Sequence, residues 1–410
     1  MYLSASVLTA ALVVTGVTAH PQKSKCKPFQ GEFTIDEYQL YPENADFDFN
    51  TCKLYIGQLW NASLGIYDPY TKKHEVVEFP GISHNPTLNM GGVGVDKRTG
   101  LISLVANGPL EFPTNGANIT GDRWLISYDP LAKKTVYQVN LTATSQGKYG
   151  GFQDVEQDPA GNTFVVGSFP GTLTKVSKDG KTVTPWYLPA TINSTNKGLS
   201  GIATDGWTLL AYGDASGELW KFDTRAKTGV PTVVPVKGNH TFVGSDAIYL
   251  PPKYNSAVLL IAEAAAGVSV FKSTDGWKSA DFLGTVGLAP QVFAYFGDEG
   301  LGGPGTAGSR AQFPFYDISA EVDKLVKGCS KAHRRSEEPE QAEVASWYYK
   351  GHSKRSEEAE QSEVASWYLK GHSKRNEEAE QGGVASWYYK GHSKRSEETP
   401  EVASWYYKGH

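Results

Sequence analysis

The sequence predicts an all-β fold, a β-propeller of about six blades followed by a disordered repeat tail. Short apolar runs alternate with turns in a chain of 410 residues holding 44 Gly, 22 Pro and only 2 Met, a balance that favours strands and tight turns over a helical bundle. Two short phrases recur along residues 26–328. Near residue 330 the composition then breaks: the end of the chain carries four of the ten Trp and five of the nine His, but a single Leu and no Ile.

The first phrase, Ile66-Tyr67-Asp68-Pro69-Tyr70-Thr71-Lys72-Lys73, returns as Ser127-Tyr128-Asp129-Pro130-Leu131-Ala132-Lys133-Lys134 and, degraded, as Lys221-Phe222-Asp223-Thr224-Arg225-Ala226-Lys227. Each copy is a strand ending in an Asp-containing turn, with a second strand behind it such as His74–Phe79 or Thr135–Leu141. The second phrase opens other strands, at Gly91–Asp96, Gly151–Asp158, Gly201–Asp205 and Gly244–Leu250. Turns and β-rich runs follow at Leu101–Ala106, Thr163–Gly167, Thr208–Tyr212 and Ala257–Ala262. Closely spaced strands inside a longer period of about 40–60 residues mark a propeller, and counting gives about six blades over 26–328. Residues 26–45 are expected to pair with 290–320 and close the ring.

The net charge of −5 and pI near 6.0, with no single-sign stripe, argue against a nucleic-acid partner. Residues 1–19 read as a signal peptide: no charged side chain, an apolar run Val7–Val14, and Val17-Thr18-Ala19 as a small-x-small cleavage site. The run is shorter than the roughly 20 apolar residues of a membrane span, so no membrane association is expected after signal removal. Sequons at Asn61, Asn118, Asn140, Asn193 and Asn239 suit a glycosylated secretory-pathway protein. The three Cys match no metal spacing. Cys26 and Cys329 bracket the globular region and form the candidate disulfide.

No Ser-His-Asp order or His cluster stands out, and His74, His84 and His240 are scattered and expected to be exposed. Asp154, Glu156 and Asp246 lie near the starts of expected inner strands. They are the weak candidates for a metal or substrate contact, against a role as turn and ring-closing hydrogen-bond groups. No cofactor is implied, and the propeller carries no recognisable catalytic set.

From about Leu54 to Phe315 the chain resembles the secreted propeller family found with fungal trichothecene-toxin gene clusters. The residues behind this are Leu54-Tyr55-Ile56-Gly57-Gln58-Leu59-Trp60-Asn61, Gly151-Phe152-Gln153-Asp154 and Gly244-Ser245-Asp246-Ala247-Ile248. A more distant likeness is to the lactonase-type six-bladed propellers, whose complete metal set has no residue-by-residue match here.

The tail, 330–410, holds four copies: 336–355, 356–375, 376–395 and 396–410. A basic pair heads each one, placing cleavage after Arg335, Arg355, Arg375 and Arg395. An acidic spacer leads to Val-Ala-Ser-Trp-Tyr-(Tyr/Leu)-Lys-Gly-His. The spacer drifts and the last copy loses two residues, so that Trp405 follows Trp387 by 18 positions instead of 20, while the short block changes once, at Leu369. A stacked solenoid needs its repeat length held, so the block, and not a fold, is what repeats. Two adjacent cations suit the paired carboxylate pockets of a kexin-type protease, and an acidic, polar spacer leaves such a site open.

This layout resembles α-factor-type pheromone precursors and the kexin-processed precursors of fungal dikaritin cyclic peptides such as ustiloxin and asperipin. The second resemblance implies a crosslinked core built on Trp347, Tyr348, Tyr349, Trp367, Tyr368, Trp387, Tyr388, Tyr389, Trp405, Tyr406 and Tyr407. It also implies a Tyr-crosslinking oxidase and a trimming carboxypeptidase as partners beside the protease. The function expected is therefore a secreted precursor of small, oxidatively cyclised, toxin-like peptides. The alternatives are a linear pheromone-like signal or a secreted propeller hydrolase or binding protein.

Overall fold

The computed structural model describes residues 26–27, 31–37, 40, 42–214, 216–240, 244–263, 266–287 and 312–332. Residues 1–19, read as a signal peptide, and the four expected cleavage sites after Arg335, Arg355, Arg375 and Arg395, with the aromatic blocks that follow them, lie outside the described residues.

The repeated phrases are the strands of successive blades. Blade one is β2 (Pro42–Asp48), β3 (Lys53–Gln58), β4 (Ser63–Asp68) and β5 (Lys73–Val77). Blade two is β6 (Asn89–Val95), β7 (Ile102–Asn107), β8 (Trp124–Asp129) and β9 (Lys134–Asn140). A short helix, α1 (Thr142–Ser145), precedes blade three: β10 (Gly150–Gln157), β11 (Thr163–Phe169), β12 (Thr172–Val176) and β13 (Val183–Tyr187). Blade four is β14 (Leu199–Asp205), β15 (Thr208–Gly213), β16 (Glu218–Asp223) and β17 (Thr232–Val234). Blade five holds β19 (Ser245–Tyr249), β20 (Val258–Glu263), β21 (Gly267–Lys272) and β22 (Ala280–Val286), with β18 (Val236–Lys237) added parallel to β22 at its outer edge.

Local chemistry explains why the phrases repeat. Asp68 Oδ1 accepts the amides of Tyr70 (2.9 Å) and Thr71 (3.1 Å), and Asp129 Oδ1 accepts those of Leu131 (3.0 Å) and Ala132 (2.9 Å). Asp223 Oδ1 likewise accepts Arg225 N at 3.0 Å. Each Asp caps the turn between the third and fourth strands of its blade. The glycine-opened phrase is the innermost strand, where neighbouring blades come closest. A Cβ at Gly94 would stand 2.5 Å from Val155 O of the next blade, and one at Gly201 would stand 2.6 Å from Asp246 O. Every side chain of β7 and of β11 is buried, because sheets stacked face to face cover both faces of their middle strands; the outermost β5 has no buried side chain.

Among the described residues there are five blades, not six. After β22 the chain supplies β23 (Gln312–Phe315), which pairs antiparallel with β1 (Phe33–Asp36), and then α2 (Ser319–Ala332). The expected pairing of the two ends is thus present as Phe33↔Phe315 through Asp36↔Gln312, while 42–48 became the inner strand of blade one. Phe33 stacks on Phe315 (4.8 Å between centroids) and on Tyr67 of β4 (5.8 Å), seating the pair against blade one. The helix α2 seats on blade five through Val322, Leu325 and Val326.

The disulfide joins Cys26 to Cys52, not to Cys329. Cys52 sits in the tight turn between β2 and β3 with φ 59°, which brings its Cα to 5.4 Å from that of Cys26, within the normal span of the bond. Tyr70 Oη donates to Lys27 O beside it (2.5 Å), so the segment before β1 is held at two points. Cys329 lies in the last part of α2. Removing the bridge frees a 26-residue loop in the unfolded chain. Cys52→Ser is therefore expected to lower unfolding free energy by about 2–4 kcal/mol, read by denaturant titration of the oxidised protein.

Candidate functional site: the carboxylates of the inner strands

The inner strands β2, β6, β10, β14 and β19 follow one another side by side around the ring. Each carries a register shift against its second strand, between Pro42/Ala45, Met90/Val93, Phe152/Asp154, Leu199/Ile202 and Ser245/Ile248. A bulge re-aims the side chains around it, and here polar groups fall at these bends.

The three candidate carboxylates are brought into one neighbourhood, but as connectors between blades. Asp154 Oδ2 accepts Ile202 N of blade four at 2.9 Å, and its Oδ1 accepts Val155 N at 2.9 Å. Glu156 Oε2 accepts the Thr204 hydroxyl, also of blade four, at 2.7 Å. Asp246 Oδ1 accepts Gln153 Nε2 at 3.1 Å, across from blade five to blade three, and Gln153 Oε1 in turn accepts Ser168 Oγ at 2.8 Å. Asp46 repeats the Asp154 pattern between blades one and two, accepting Val95 N at 2.8 Å and Phe47 N at 2.8 Å. No group of three or more His, Cys, Asp or Glu among the described residues is arranged to hold a metal ion. Both oxygens of Asp154 are already engaged by backbone amides.

Burial governs the electrostatics. It pushes the Glu156 carboxyl up to about 7, against the pull of the nearby Lys97 ammonium. It raises Asp154 well above the carboxylate range, with Glu156 and Asp246 adding repulsion. Asp46 and Asp246 also rise through burial, opposed by Lys97 and Lys197 respectively. The Lys97 ammonium stands 5.9 Å from the centre of the Tyr249 ring, and burial raises that phenol too. At the blade four–five seam, Lys197 pairs with Asp214 at 2.6 Å, and Asp214 accepts Ser245 Oγ at 3.0 Å. Such a set can hold protons between the blades. It presents no nucleophile paired with a base.

Two buried pairs carried no sequence signal. Arg123 Nε meets Glu111 Oε1 at 2.7 Å with both side chains fully buried, and Glu111 Oε2 also accepts Gly151 N. His240 Nε2 and Glu263 Oε1 lie 2.8 Å apart, also buried, against Phe271 and Phe282. The partners are 12 and 23 positions apart in no motif, and only the fold joins them. His74 is buried as well, 3.3 Å from Glu37, so of the three histidines expected on the surface only His84 is exposed there. Of the sequons, Asn193 and Asn239 are exposed and Asn61, Asn118 and Asn140 half-buried.

A family described as Mala_s_1-like, Mal s 1 allergenic protein-like, matches residues 22–285. Trichothecene biosynthesis protein 14 of Trichoderma arundinaceum is 30% identical over 335 residues, which span 73% of this chain and 92% of that protein. Major allergen Mal f 1 of Malassezia furfur is 27% identical over 350 residues, 77% of this chain and 98% of its own length. The crystal structure of the major Malassezia sympodialis allergen Mala s 1 superposes with a TM-score of 0.61 at 23% identity, over 71% of this chain and 97% of that one; this likeness is one of fold.

Glu156 titrates above an unfolded Glu, so the folded state binds the extra proton between about pH 4.5 and 7. Its contribution to stability is therefore present below pH 4.5 and is lost as pH rises to 7. Glu156→Gln, which cannot ionise, is expected to gain about 1–3 kcal/mol on the parent between pH 5 and pH 8. Parallel denaturant titrations at the two pH values check it.

Proposed function

The chain belongs to the Mal s 1 allergenic protein-like family, and we propose that within it this member is a secreted two-part precursor: a propeller head carrying four releasable peptides. The observation that supports this is the tail itself, where basic pairs recur at the head of each copy and the nine-residue aromatic block outlasts the spacer around it. A separate head is supported by relatives that are matched over 92% and 98% of their own lengths while taking up 73% and 77% of this chain.

A kexin-type protease is the partner that paired cations recruit, and a carboxypeptidase then removes the basic ends. The head's own Lys-Arg pair is kept from it. Lys97-Arg98 sits in the turn between β6 and β7, where Arg98 Nη2 donates to Asp96 (2.6 Å) and Nη1 to Pro159 O (2.9 Å), so the segment is not free to extend. The released cores combine an indole and neighbouring phenols, side chains that an oxidase acting with dioxygen can couple. Each ring closed transfers two hydrogens to the oxidant. Gly351 and its counterparts Gly371, Gly391 and Gly409 give the backbone freedom a small ring needs. The head serves as the glycosylated carrier that takes the peptides through the secretory pathway.

Two measurements test this. In cells lacking kexin activity one full-length glycosylated precursor is expected. With the protease active, the propeller should be secreted apart from peptides no longer than the 20-residue repeat, and left uncut at Arg98. Full-length protein secreted in the presence of active protease would falsify the precursor reading. High-resolution mass of the peptides then separates cyclised from linear products: each crosslink lowers the mass by about 2 Da, and the copy holding Leu369 carries at most the crosslinks that Tyr368 supports, one fewer than its siblings if both tyrosines react there. Unshifted masses throughout identify a linear signal instead.

A further inference from the structure

We propose that one face of the propeller binds an acidic polysaccharide, whose carboxylate or sulfate groups bridge cation pairs on successive blades. The proposal goes beyond the two-part reading above and shares with it only the secretory-pathway expectation.

The topology sorts the loops onto two faces. The inner strands run parallel to one another, with Gly92 set against Gln153 O and Gly94 against Val155 O of the next blade. Within each blade the four successive strands alternate in direction. The turns between first and second strands, and between third and fourth, therefore open on one face. The turns between second and third strands, and the links from blade to blade, open on the other. The sequons follow this division. Asn61 and Asn118 lie between the second and third strands of blades one and two, Asn140 at the end of β9, and Asn193 in the link from blade three to blade four. Asn239 lies between β18 and β19, on the link into blade five. No sequon falls in a turn of the first face. Glycans attached at these positions thus cover the second face and leave the first one bare.

The bare face is the cationic one. Its turn after the third strand carries Lys72 and Lys73 in blade one, Lys133 and Lys134 in blade two, Lys178 and Lys181 in blade three, and Arg225 and Lys227 in blade four, all exposed. Each of these turns holds a single aspartate, and its carboxylate accepts amides of the turn itself. Two cations against one carboxylate leave every one of the four turns positive. Arg225 pairs with Asp223 at 2.8 Å, and Lys133 and Lys181 make exposed pairs at 3.4 and 3.7 Å, contacts that a second anion readily replaces. The other cations of the four turns are in no ion pair among the described residues.

Strands about 4.8 Å apart place each pair about 12 Å outside its inner strand, so neighbouring pairs stand about 15–20 Å apart. That exceeds the screening length of about 8 Å at physiological salt, so a small anion meets one pair at a time. A long polyanion meets several, and its affinity rises with each pair it reaches. The pairs follow an arc, which a flexible sugar chain can track and a DNA duplex, stiff over about 150 base pairs, cannot. The exposed large apolar side chains in the turns of this face are Tyr70, Leu131, Trp207 and Val230. They are scattered over three blades and form no contiguous apolar surface of the kind that enters a bilayer. Tyr70 and Trp207, each 38% exposed, offer rings on which sugars stack.

The test is calorimetric titration of the purified, glycosylated full chain with heparin and with polygalacturonate at about 150 mM salt. Fragments of about twenty sugars should bind about tenfold or more tighter than fragments of about four, because only the longer ones reach several pairs. Lys72→Ala with Lys73→Ala, and Lys133→Ala with Lys134→Ala, should each weaken the long fragment about tenfold and leave Tm unchanged. Lys148→Glu makes the same two-unit charge change at an exposed position of the other face and should alter binding by less than about twofold. The tail is identical in all of these proteins, so its own charges cancel from the comparison. No binding to either polymer, no loss in the pair variants, or an equal loss in Lys148→Glu overturns the proposal. Vesicles of about 30% phosphatidylserine bound as tightly as the polymers, with the same loss in the pair variants, overturn the polysaccharide as the partner. None of these outcomes touches cleavage of the tail, so the precursor reading stands or falls separately.

Discussion

A ring of sheets is stable only if its last blade finds a partner, since each blade buries one face against the next. Here that constraint falls on the two ends of the described chain. The antiparallel pair of β1 and β23 covers blade one with Phe33 and Phe315, and Gly31 N donates to Asp317 at 2.8 Å just before α2 begins. The helix α2 then covers blade five. The disulfide at Cys26 pins the same seam from its N-terminal side, through the first turn of blade one. The seam is built from elements 286 positions apart, so its integrity reports on the whole ring.

Inside the ring, the inner strands need close backbone approach, which glycine permits, and they need cross-blade hydrogen bonds, which carboxylates supply. Asp46 and Asp154 each reach an amide of the following blade, at equivalent places two blades apart. Acceptors buried in this way are desolvated, and their pKa values rise together. A group of carboxylates that looks like a site in sequence is then largely a fastening in space. Asp154, Glu156 and Asp246 each accept a hydrogen bond from another blade, the ring-fastening role weighed against a metal or substrate contact.

The head and tail obey different rules. In the head, residue identity is fixed by packing and by turn chemistry. In the tail, the letters that persist are a short aromatic block and the basic pairs, while spacer length and composition drift. The joint between the two regimes is α2, which belongs to the ring through its anchored stretch and to the tail through its last turn.

The all-β class, the strand pairs and the turns are legible in the sequence, because each depends on residues only a few positions apart. Asp68, Asp129 and Asp223 bond amides two or three residues ahead of them, so their phrase reads directly as a turn. The glycine-opened inner strands were legible for the same reason, as were the tail copies. The number of blades, the partner of Cys26, the burial of His74 and His240, and the Glu111–Arg123 pair were decided only by tertiary structure. These rest on contacts between segments that the chain brings together only once the ring has closed. Spacing along a sequence does not encode which of two cysteines a third will meet, nor whether a carboxylate at a strand bulge faces an ion or the amide of the next blade.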